Sequence, residues 1–139
     1  MTVSEAIIKW LYEFNSEKYW NMPQIDTDIQ GPKVDSFSLA KEPVQNVKSY
    51  LSGKKVYTGH YMICARLSSN MDADRVDNLG FGEALEEFVR AKNLAEEFPV
   101  IPDATVRSIE VTTPFYLGAT ENNDSIYQMT IAIKYEKER

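Results

Sequence analysis

The stretch Ser125-Ile126-Tyr127-Gln128-Met129-Thr130-Ile131-Ala132-Ile133-Lys134-Tyr135-Glu136 decides the fold. Tyr127, Met129, Ile131, Ile133 and Tyr135 alternate with Gln128, Thr130, Lys134 and Glu136, and strand side chains change face at every step. A period of two specifies a strand with one apolar and one largely polar face. Just upstream, Val106 to Leu117 reads as its hairpin partner, with Gly118 to Asp124 as the polar turn. The preceding chain has to supply whatever covers the apolar side.

Working outward, Val44 to Leu51 and Val56 to Leu67 read as a second hairpin across Ser52-Gly53-Lys54-Lys55. The later strand is apolar on both faces, with Tyr57, Tyr61 and Ile63 on one and Val56, Met62 and Cys64 on the other. Such a strand belongs in the centre of a sheet, covered by a helix on one side and by something else, such as a neighbouring subunit, on the other. Arg75 to Glu97 is helical, with Phe81, Leu85, Phe88, Val89 and Ala95 as its stripe. Gly80-Phe81-Gly82 predicts a break or kink in it, and Pro99 and Pro102 end it. At the start, Thr2 and Glu5 have capping-box spacing ahead of a helix from Ser4 to Asn15. Tyr19 to Pro23 reads as a loop, and Gln24 to Gln30 as a short strand ended by Gly31-Pro32. Val34, Phe37 and Leu39 form an extended piece interrupted by Pro43, and Lys33 to Glu42 is a candidate arm or edge. The expected architecture is α+β: a mixed or antiparallel sheet of about four to five strands, carrying an N-terminal helix and one long central helix.

At 139 residues, with no visible linker or repeat, residues 1–139 are expected to form one domain. Fifteen basic against twenty-one acidic residues give a net charge of -6, and no basic cluster exceeds Lys54-Lys55. This argues against binding to nucleic acid by charge attraction. The single cysteine, Cys64, excludes an internal disulfide. No apolar run approaches the length of a membrane span and no secretion-signal pattern opens the chain, so synthesis and folding in the cytoplasm are expected. Aromatic residues make up 12%, mostly tyrosine, which suits subunit contacts and half-buried sheets alike.

Reactive constellations do not emerge. His60 is the only histidine, so a Ser-His-acid triad or a histidine metal site would have to pass through it. It shares a strand face with Met62 and Cys64 and reads as a packed sheet histidine; four residues of strand place Cys64 ~13 Å away, too far for a nucleophile–base contact. Asp72, Asp74 and Glu83 match positions of a calcium loop, but Val76 and Asp77 stand where a ligand and the turn glycine belong. Asp72 and Asp74 fit a helix start better. Asp26 and Asp28 lack a third ligand, Gly80-Phe81-Gly82 lacks the rest of a dinucleotide fingerprint, and Asn123-Asp124-Ser125 bears a sugar only in a secreted protein. No catalytic residue, metal or cofactor is expected.

Several phrases, in this order of elements, resemble a family of small virion proteins from tailed phages and prophages of Gram-positive bacteria, described as minor capsid proteins or tail terminators. They are Tyr61-Met62-Ile63-Cys64-Ala65-Arg66, Asn78-Leu79-Gly80-Phe81 opening a helix that carries Phe88, Ile109 to Leu117 with Thr112-Thr113-Pro114-Phe115-Tyr116-Leu117, and Tyr127-Gln128-Met129. The resemblance implies a structural protein, not an enzyme. Such proteins form a closed ring, usually a hexamer, at the head-proximal end of the tail tube; they stop its growth and present a surface to the head–tail connector. Expected partners are further copies of the chain, the major tail tube protein and the connector, and the expected location is the virion neck after synthesis in the bacterial host cytoplasm. Ring closure is heterologous association, in which one patch docks on a different patch of the next copy. An acidic surface would suit a ring that DNA traverses without adhering. Phe37 and Leu39 on the Lys33 to Glu42 arm, with Phe115, Tyr116 and Leu117 on the final hairpin, are the candidate interface residues; the alternative is that these residues cap the core of a monomer. Two readings compete: a small ligand-binding or enzymatic domain with a pocket near His60, and a monomeric interaction module.

Overall fold

The computed structural model describes residues 2–14, 25–27, 36–68, 72–121 and 124–137. The elements run α1 (Val3–Leu11), β1 (Ile25–Thr27), β2 (Ser36–Ser49), β3 (Lys55–Ser68), α2 (Asp72–Leu94), β4 (Thr105–Glu121) and β5 (Asp124–Lys137). The sheet order is β1-β2-β3-β5-β4, antiparallel except for the parallel pair β1–β2. Among the described residues the fold is α+β, with two helices on a five-stranded mixed sheet.

The decisive stretch behaves as its alternation requires. Tyr127, Met129, Ile131, Ile133 and Tyr135 are all buried, and Lys134 on the opposite face is exposed. Register then dictates which neighbours join them. Phe37, Ala65 and Tyr127 stand in one cross-strand row, Leu39, Ile63 and Met129 in the next, and Tyr61, Ile131 and Val111 in a third. Against these rows α1 lays Ala6, Ile7, Trp10 and Leu11, and α2 lays Phe81, Leu85, Phe88 and Val89. An aromatic chain ties the layers together. Trp10 meets Phe88 at 5.0 Å, Phe14 packs edge-on to both Phe88 and Phe81, and Phe81 reaches Phe37 and Phe115. Phe115 in turn stacks on Tyr127 at 4.9 Å.

Capping chemistry sets both helix ends. Thr2 Oγ1 accepts from the Glu5 amide at 3.1 Å, as the spacing predicts. At the far end of α2, Glu96 takes a left-handed φ of 57°, and the Glu97 and Glu96 amides donate back to the carbonyls of Lys92 and Asn93. Trp10 Nε1 donates to the Glu97 carbonyl at 2.8 Å, fastening α1 to that terminus.

Two sequence expectations change. The predicted break at Gly80-Phe81-Gly82 is absent, and α2 runs through it as one helix. Gly82 serves contact instead: a Cβ there would lie 2.5 Å from Cγ of Phe115, so only hydrogen lets helix and strand approach. The extended piece around Phe37 and the strand from Val44 form one strand, β2, which continues through Pro43. Pairing with β3 lapses between Lys41 and Gln45, so the missing proline amide leaves no ladder bond unmade. Asp72 and Asp74 lie at the start of α2, as their helix-start reading expects. Asp28, Asn123 and the expected loop at Tyr19 to Pro23 fall outside the described residues.

Candidate functional site

The two hairpins project apolar side chains from different parts of the sheet. The β2–β3 turn closes where Lys55 pairs with Lys137, whereas the β4–β5 turn closes at the opposite end, where Ser68 pairs with Asp124. At the first turn, the Tyr50 amide donates to the Lys54 carbonyl at 2.9 Å and the Gly53 amide donates to the Tyr50 carbonyl at 3.0 Å. Gly53 supplies the φ of 92° that this tight closure needs. Leu51 is left at the apex, fully exposed, and Tyr50 is 43% exposed beside it. Lys48 and Lys54 lie over the Tyr50 ring, 5.5 and 6.0 Å from its centre.

On the final hairpin, Tyr116 and Leu117 are 44% and 52% exposed. Tyr116 Oη donates to Gln128 Oε1 at 2.7 Å, which holds the ring against the sheet surface. Phe115, half-buried, packs on Phe81 and Tyr127, and its amide donates to Glu86 Oε1 at 2.9 Å. Phe37 and Leu39 correct the sequence reading: they are 2% and 1% exposed, because β3 pairing turns them under the helices. They hold the core and are not free to touch another copy. The sequence reading also missed Leu51. It appeared only as the last residue of a strand, although its place beside the turn residues Ser52-Gly53 was the available sign.

Clefts among the described residues accompany these protrusions. The first, about 480 Å³, lies between α1 and the segment after α2, with Trp10, Phe98, Pro99 and Val100 in its walls. The second, about 430 Å³, runs from the start of α1 to Lys41, Tyr61 and Tyr135. Burial pushes both phenols up from their ordinary range; Tyr135 adds to the effect on Tyr61, and a hydrogen bond with Ser4 opposes it. Gln45 Nε2 donates to Tyr135 Oη at 3.3 Å. The third, about 290 Å³, lies between α2 and β4, lined by Glu86, Val89, Arg90, Asn93, Ile109, Glu110 and Val111.

His60 is half-buried, paired with Ala132 on the face away from the core rows, and lines none of these clefts. Cys64 shares that face. Its thiol is buried and pushed up by desolvation, with Ser38 hydrogen bonding in opposition. Among the described residues no group of His, Cys, Asp or Glu is placed to hold a metal ion, and no helix is long and apolar enough to cross a membrane. No protein-family model matches this sequence, and no curated protein matches it.

Proposed function

We propose that this chain is a structural virion protein of a tailed phage or prophage: a ring-forming tail terminator. It sits at the head-proximal end of the tail tube, stops tube growth and joins the tail to the head connector. One observation carries the reading. A single small α+β domain bears unlike apolar protrusions in different places, Tyr50 and Leu51 on one hairpin, and Tyr116 and Leu117 on the other. A closed ring requires two different patches on each copy, because one patch meeting itself stops at a dimer. The resemblance of the Tyr61 to Arg66, Asn78 to Phe81 and Ile109 to Leu117 phrases to tail terminators supports the same reading.

The test is to polymerise the tube protein encoded beside this chain, with and without the purified chain, and to measure tube lengths by electron microscopy. Tubes of limited length with added density at one end are expected. Tubes that grow equally long in both samples, or flanking genes that encode metabolic enzymes instead of head and tail proteins, would overturn the proposal.

A further inference from the structure

We infer that the β2–β3 hairpin tip of one copy seats in the cleft between α2 and β4 of a second copy. The inference deepens the proposed ring by naming its contact, and it rests on that reading for the identity of the partner. Three features carry it.

The first is charge. In a chain of net charge -6, Lys48, Lys54, Lys55 and Lys137 gather at the turn end of the sheet. Glu136, the carboxylate paired across from Val56, is shared between Lys54 and Arg107 at 3.1 and 3.4 Å, which leaves the end cationic. The α2–β4 cleft has the opposite sign: Glu86 and Glu110 flank it, and Arg90, the one cation among its described lining residues, is paired with Glu87.

The second is shape. Leu51 is an exposed apex with Tyr50 and lysines close by, and the cleft offers a floor at the partly exposed Val111, over the buried Val89 and Ile109, with about 290 Å³ of space to receive it. Aliphatic lysine stems lie along such a floor while their ammonium groups reach the carboxylate rim.

The third is the character of the β4 edge. β4 is the outer strand, yet its pairing with β5 is interrupted at four places and it contains Pro114. Such an edge resists addition of another strand through its backbone, so a second copy engages it by side chains. Tip and cleft are different surfaces, so each copy both gives and receives, as a ring demands.

The test uses the full chain at high concentration. Leu51 is replaced by a photo-crosslinking benzoylphenylalanine, the cross-linked peptides are mapped, and sedimentation reports the assembly size in parallel. Cross-links to residues 86–93 and 109–111 of a second copy are expected. Leu51→Asp should weaken self-association at least tenfold. Lys55→Glu and Glu110→Lys should each weaken it about threefold, and the two together in one chain should restore it. A closed ring whose cross-links fall elsewhere overturns the docking and leaves the ring reading standing. A chain that stays monomeric and yields no cross-links overturns both. Binding to phosphatidylserine vesicles that is lost in Leu51→Asp, without cross-links between copies, assigns the tip to a membrane surface and also overturns the docking.

Discussion

Gly82 shows how one missing methyl group fixes the distance between a helix and a strand. Glycine in a helix interior costs about 1 kcal/mol relative to alanine, so helix propensity alone predicts that Gly82→Ala stabilises. The added Cβ would meet Phe115 at 2.5–2.9 Å from Cγ and its Cβ, while that ring is itself held between Phe81 and Tyr127. Overpacking of this kind costs about 1–3 kcal/mol, and it wins. Urea unfolding of Gly82→Ala should give a lower midpoint than the parent, with a smaller loss in a Phe115→Leu background. A midpoint equal to or above the parent's would show that Phe115 yields easily and that the close approach is incidental.

Elements were legible where periodicity and burial agree. The alternation of Tyr127 to Tyr135 and the Thr2 cap could be read directly, because each is a local pattern with one structural solution. The union of Phe37 and Val47 in one strand could not, since Pro43 reads as a break until the lapse in β3 pairing beside it is known. The same gap misplaced the candidate interface. Phe37 and Leu39 have polar flanks that resemble an exposed arm, and only a distant partner strand turns them inward. Tyr116 and Leu117 were legible as hairpin residues that remain at the surface, whereas Leu51 stood out only once the turn geometry was known. The cleft between α2 and β4 depends on how two distant segments meet, which no local pattern records.

The joint between α1 and the sheet carries its own pH dependence. Tyr61 and Tyr135 are raised chiefly by burial, from an ordinary value of 10.0. The unfolded chain therefore gives up these protons before the folded one does. Their contribution to stability is complete below the unfolded value and is lost as pH climbs through the folded values. Melting temperature should be level at mildly alkaline pH and fall above about pH 10, and Tyr61→Phe should make that fall shallower. An unchanged slope in Tyr61→Phe would remove this phenol from the account.

At the scale of the whole molecule, one continuous core joins α1, α2 and the rows of β2, β3 and β5. Small domains with a single core unfold in one step. Far- and near-ultraviolet dichroism should therefore report coincident transitions for this chain. Ile131→Ala, at a fully buried position in the middle of β5, should shift both together by about 2–5 kcal/mol. Transitions that separate would mean that the helices and sheet hold independently. Such a result would also deprive the α2–β4 cleft of its fixed shape.

The position of β5 has a consequence for biosynthesis. It leaves the ribosome after the other six described elements, yet it fills the slot between β3 and β4, and β4 has no other partner strand in this sheet. Until it arrives, β4 stands unpaired and the helices lack the buried row from Tyr127 to Tyr135. Long-range closures of this sort are slow and leave greasy segments uncovered in the interim. Folding must therefore wait for translation to reach Lys137, and a messenger truncated before that codon would yield a product fit only for chaperones or proteases.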